Sequence, residues 1–156
     1  MRYNLLAAVL ALLLLSPSLA ADELDLLSYT HRSLDATGES DLSAYRGKPV
    51  VMLFFTSDCP WCHKQARILR SLQQHCSKQF TPVALGVGGD RNTLRRELHR
   101  MRVPFSGFIT GSEMVNKMGG VPATPLMLIT DKNGNFAHFQ RGLLPEEQLK
   151  QVLCPT

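Results

Sequence analysis

The chain has 156 residues, 44% of them hydrophobic, and a formal charge of +4, which suits one domain with a single buried core and requires no second. The basic excess gathers at Arg91, Arg95, Arg96, His99, Arg100 and Arg102. Glu97 interrupts it and no aromatic side chain stands among the charges, so a solvated helix face is expected and nucleic-acid binding is not.

At the start, Arg2 precedes an apolar run from Leu5 to Leu15, followed by Pro17, Ser18 and Ala20. That order is expected of a secretory signal peptide over 1–20, cleaved after Ala20, with the domain over 21–156. The run is shorter than the roughly 20 apolar residues a membrane span needs. The remaining chain, with a charge of about +3, is expected to be soluble and extracytoplasmic. Its four cysteines, Cys59, Cys62, Cys76 and Cys154, permit two disulfides in an oxidising compartment.

An edge strand is expected around Leu26 to Leu34. The Gly47-Lys48-Pro49 turn then releases into Val50 to Phe55, an apolar β-branched and aromatic run that reads as a strand buried on both faces. Cys59-Pro60-Trp61-Cys62 follows, and Ile68, Leu69 and Leu72 continue a helical pattern, so the cysteine pair sits at a strand-to-helix junction. A second buried strand is expected at Pro82 to Val87. Asp90 or Asn92 caps a helix carrying Leu94, Leu98 and Met101, and Val103-Pro104 stops it. The segment from Arg102 to Gly111 reads as a loop, with a short helix after it at Glu113 to Met118. Leu126 to Thr130 and Asn135 to Arg141 flank Asn133-Gly134 as a hairpin, and a helix runs from Pro145 to Leu153. Strand, helix, strand, helix, hairpin and helix together predict an α/β fold, a mixed sheet with helices on both faces.

The chemistry lies in Cys59-Pro60-Trp61-Cys62. A cysteine at a helix start meets free backbone N–H groups and the positive end of the helix dipole, both of which favour the thiolate. Pro60 falls where its missing N–H costs the helix nothing. Cys62, one turn deeper, is placed to release a substrate from a mixed disulfide. The expected roles are therefore Cys59 as nucleophile and Cys62 as resolving cysteine, with no bound cofactor or metal. A zinc site would require a second ligand pair of similar spacing, which the chain lacks. A rival reading uses Cys59, Cys62 and His63 as a Cys-x-x-Cys-His haem attachment, or as a copper site, with Met52, Met101, Met114, Met118 or Met127 as a further ligand. The alternation of strands and helices argues against it, and His63 reads as an exposed residue of the first helical turn.

These residues resemble the thioredoxin superfamily, in particular its exported TlpA/ResA-like branch. The resemblance rests on Leu42 to Val51 leading through two phenylalanines to Cys-Pro-x-Cys, and on Gly120-Val121-Pro122 through Asp131-Lys132-Asn133-Gly134 to Gly142-Leu143-Leu144-Pro145. It implies a thioredoxin-like fold and a monomeric protein-disulfide reductase acting on protein thiols and disulfides, re-reduced by a membrane electron donor. Disulfide isomerisation is the alternative activity. It also implies a cis-proline facing the redox pair, for which Pro122 and Pro125 are the candidates. Counting back from Gly134 favours Pro125, preceded by Thr124, with Trp61 completing the site. The buried acid that many thioredoxins carry six residues before the first cysteine, where it helps deprotonate the resolving thiol, is replaced by Leu53, so that proton handling falls to water or to another group, with Asp90 as one candidate. If the fold holds, the helix ending at Cys76 and the one ending before Cys154 run side by side, and these two cysteines are expected to form a structural disulfide far from the redox pair.

Overall fold

The structure is a computed structural model that describes residues 24–155; the expected leader lies outside them. The elements are β1 (His31–Ser33), β2 (Glu39–Ser40), β3 (Val50–Phe55), α1 (Pro60–Cys76), β4 (Thr81–Gly86), α2 (Arg91–Met101), β5 (Ser106–Ile109), α3 (Ser112–Lys117), β6 (Leu126–Thr130), β7 (Phe136–Arg141) and α4 (Glu146–Leu153). The strands form one mixed sheet in the order β2-β1-β5-β4-β3-β6-β7.

β3 is buried along its whole length, and its side chains alternate between two cores as the two-residue period of a strand requires. Val51, Leu53 and Phe55 join the residues of α1, α2 and α4. Val50, Met52 and Phe54 join Leu26, Leu27, Leu42 and Met114 of α3 on the opposite face. Each fully buried side chain of this size contributes about 1.5–3 kcal/mol of transfer free energy. Strand and helix periods thus dictate a sheet packed on both sides, the expected α/β architecture.

β3 and β4 are parallel, as are β4 and β5, while β6 returns antiparallel on the other side of β3. The chain therefore winds outward from β3 in one direction and then resumes on its opposite flank. The carboxyl end of β3 is the switch point of the sheet, the place where open α/β sheets build their sites.

Two expectations about elements need correction. Within the stretch from Leu26 to Leu34 the strand is confined to His31–Ser33; Leu26 and Leu27 are buried in the core, with the Leu26 N–H donating to the Gly134 carbonyl at 2.8 Å and the Leu27 N–H to Asp25 at 3.1 Å. The stretch from Arg102 to Gly111 contains β5, which pairs with both β4 and β1. Gly107 permits this packing, since a Cβ there would stand 2.1 Å from Leu98 Cδ2 of α2.

Candidate active site

Thr56, Ser57 and Asp58 carry the chain from β3 into α1, and Asp58 takes a left-handed turn with φ of 54°. Cys59 is the residue before the helix; its sulfur accepts the Cys62 N–H at 3.2 Å, and Pro60 occupies the first turn. Cys59 and Cys62 are joined, with 2.08 Å between sulfurs and 5.2 Å between Cα atoms. Cys59 is the outer partner at 8% exposure and Cys62 is fully buried. Trp61 between them is 59% exposed.

From the far side, the cis peptide bond Thr124–Pro125 approaches the pair. The Thr124 hydroxyl donates to Cys59 Sγ at 3.5 Å and lies 2.9 Å from the Thr56 hydroxyl. Pro122, the other candidate, is exposed on the loop before it. Leu53 lies in the same apolar cluster as Cys62. Asp90 is occupied elsewhere: its carboxylate accepts the Asn92 and Thr93 N–H groups at 2.9 and 3.0 Å and caps α2.

The structure also brings Glu97 and Arg100, to which the sequence assigned no role, up to His63. Glu97 is only 1% exposed, although it stands in the basic stretch read as a solvated face. It faces a cleft of about 450 Å³ shared by Asp58, Cys59, His63, Arg67 and Arg100. His63 Nε2 lies 2.6 Å from Glu97 Oε1, so His63 is a tied and half-buried residue rather than an exposed one. Arg100 donates to the other Glu97 oxygen and stands 3.6 Å from Asp58. Burial opposes the Glu97 charge, but the hydrogen bonds from His63 and Arg100, the Arg100 charge and the Asp58 backbone N–H outweigh it, holding the carboxyl below its ordinary pKa. A signal for Glu97 did exist: it falls inside the Leu94, Leu98, Met101 stripe that α2 turns toward the core.

At the opposite end of α1, Cys76 and Cys154 are joined, with 5.9 Å between Cα atoms. Seventeen residues of helix, about 25 Å, separate this bridge from the redox pair.

Residues 31–153 match the profile of the redoxin family. The chain belongs to the redoxin family. Thiol-disulfide oxidoreductase ResA of Geobacillus thermodenitrificans is 28% identical to this redoxin over 116 residues, which cover 74% of the present chain and 67% of ResA. Peroxiredoxin Q of Oryza sativa subsp. japonica is 29% identical over 136 residues, covering 81% of this chain and 62% of the relative. Among solved structures, a thiol:disulfide interchange protein of the thioredoxin family from Chlorobium tepidum superposes with a TM-score of 0.71 at 16% identity, covering 85% of this redoxin and 95% of that chain. The expected fold and TlpA/ResA-like relationship are borne out, as is the enzyme class: the redoxin is a thiol-disulfide oxidoreductase.

Proposed function

We propose that this redoxin reduces disulfides of exported proteins in the periplasm, after removal of residues 1–20 from a domain spanning 21–156. Cys59 attacks the substrate disulfide and Cys62 then attacks Cys59, releasing the reduced substrate and leaving Cys59–Cys62 oxidised. A membrane-bound electron donor restores the dithiol, and the enzyme works as a monomer without a bound cofactor. Thr124 and Pro125 border the substrate beside the sulfurs, Trp61 offers it an apolar face, and Cys76–Cys154 braces the distal end of the fold.

The observation that carries this reading is the asymmetry of the pair. Cys59, at the helix start, opens into the cleft, whereas Cys62 is sealed beneath it. Attack from outside therefore reaches Cys59, and only an internal partner reaches the bond from the Cys62 side. The haem or copper alternative would draw on Cys59, Cys62 and His63, yet the two sulfurs bond each other and His63 Nε2 is held by Glu97. Exchange chemistry is the reading this arrangement favours.

Insulin reduction by the purified protein with dithiothreitol tests the activity, with hydrogen peroxide assayed in parallel because of the peroxiredoxin relatives. Wild-type protein accelerates insulin reduction, and Cys59→Ser abolishes the acceleration. Acid-quenched alkylation in cells tests the direction: Cys59 and Cys62 are found as thiols if the protein works as a reductant. A pair found oxidised at steady state would point to oxidase or isomerase work instead.

A further inference from the structure

A buried carboxylate needs a reason to be there, because an ionised group taken from water is costly unless fully partnered. Glu97 is partnered by two groups beside the redox turn, His63 four residues after Cys59 and Arg100, and the nearby Asp58 N–H adds to the surroundings that favour its charge. Cys59 caps α1 with an extended backbone, and His63 follows at the end of the first helical turn. Both line the same cleft, and the His63 N–H is bonded to the Cys59 carbonyl at 3.2 Å. With Nε2 bonded to Glu97, the second ring nitrogen of His63, Nδ1, carries no hydrogen bond among the described residues. A thiol, a histidine and a carboxylate in that order form the pattern of an activated nucleophile: the third group fixes the ring and the ring takes the proton.

We propose that His63, oriented by Glu97, accepts the Cys59 thiol proton and returns it to the sulfur that leaves the substrate.

In the reducing direction, the Cys59 Sγ–H proton passes to His63 Nδ1 and the thiolate attacks one sulfur of the substrate disulfide. The substrate S–S bond breaks as the mixed disulfide forms. The departing thiolate takes the proton from His63 Nδ1–H. Cys62 then attacks Cys59 Sγ and displaces the second substrate sulfur, the Cys62 thiol proton passing through solvent to that leaving sulfur, so that two electrons and two protons have moved from the Cys59–Cys62 dithiol to the substrate and His63 ends as it began. The charged groups facing the imidazole are Asp58 from the loop, Arg67 from α1, and Glu97 and Arg100 from α2. Of these, Glu97 is the one bonded to the ring.

This inference rests on the assignment of Cys59 as nucleophile, and its test reads Cys59 directly rather than through turnover. In a Cys62→Ala background with Cys76–Cys154 intact, the rate of iodoacetamide alkylation of Cys59 is followed from pH 5 to 9, with peptide mapping to confirm the labelled site. His63→Gln is expected to move the profile to higher pH and slow alkylation at pH 7 by about tenfold, the factor that corresponds to one pKa unit. Glu97→Gln, which keeps an oxygen for the Asp58 N–H, is expected to do the same, and the double variant no more than either single one. Loss of a nearby negative charge alone would move the profile the other way, because the thiolate would then form more easily. A downward shift in Glu97→Gln, or an unchanged profile in His63→Gln, overturns the proposal. His63→Gln changes a half-buried side chain and carries the test alone should Glu97→Gln fail to fold. Insulin reduction retained in Cys59→Ser would instead defeat the underlying assignment, whatever the alkylation profiles show.

Discussion

The Thr124 hydroxyl donates to Cys59 Sγ at 3.5 Å and is itself joined to the Thr56 hydroxyl at 2.9 Å, so that the loop before β6 and the residue that follows β3 are tied together beside the Cys59 sulfur. A hydroxyl aimed at a sulfur that becomes a thiolate stabilises the charged form, and such charge-assisted bonds are the stronger kind.

Thr124→Val keeps the shape and removes the donor. The site is partly open to water, so the loss is expected to be roughly 1 kcal/mol, a fall of about fivefold in Cys59 reactivity near neutral pH. Iodoacetamide kinetics on the reduced protein measure it. Thr124→Ser should stay close to wild type, and equal rates for all three proteins would remove Thr124 from the chemistry.

A second prediction concerns a histidine remote from the site. His31 in β1 is buried, and that burial lowers its pKa from 6.5 to about 4. Its Nδ1 accepts the Gly111 N–H at 3.0 Å, a bond that only the unprotonated nitrogen can make. The unfolded chain therefore takes up the proton first as pH falls. The stability contributed by neutral His31 is complete above about pH 6.5 and drains away toward pH 4, by at most about 1.4 kcal/mol per pH unit. Urea midpoints at pH 7.5 and 4.5 should converge in His31→Asn relative to wild type. An unchanged gap between them would show that His31 does not titrate on unfolding.

The bridge between Cys76 and Cys154 closes a separation of 78 residues. In the chain-entropy account, losing it costs up to about 4 kcal/mol. The Cys76→Ser, Cys154→Ser double variant is expected to lower the urea midpoint while leaving insulin reduction at 25 °C unchanged, since the length of α1 separates it from Cys59. Lost turnover in a protein that is still folded would mean the two ends are coupled.

How much of this was legible in the sequence depended on whether a residue's environment is local. Val50 to Phe55, the apolar stripe of α1 and the Asn133-Gly134 turn declare themselves because strand and helix periods and turn chemistry are written within a few residues. β5 is four residues long, contains Gly107 and follows Val103-Pro104. Its strand character comes from β4 and β1 on either side and from Leu98 packing over the glycine, none of which is local. The same holds for the site. The Cys59–Cys62 spacing announces redox chemistry, whereas the bond between His63 and Glu97 spans 34 residues and exists only because α1 and α2 lie side by side. Glu97 in the core-facing stripe of α2 was a hint that an opposite partner must be near, but the sequence could not say which.

Trapping decides whether Cys59 is the sulfur that captures a substrate and Cys62 the one that releases it. Cys62→Ala protein, incubated with reduced and then partially oxidised insulin and quenched in acid, is expected to show by intact mass a covalent adduct of one enzyme and one insulin chain, linked through Cys59 and cleaved by dithiothreitol. Cys59→Ala treated in the same way should show none. An adduct that forms equally in Cys59→Ala, or no adduct in Cys62→Ala, would contradict the account.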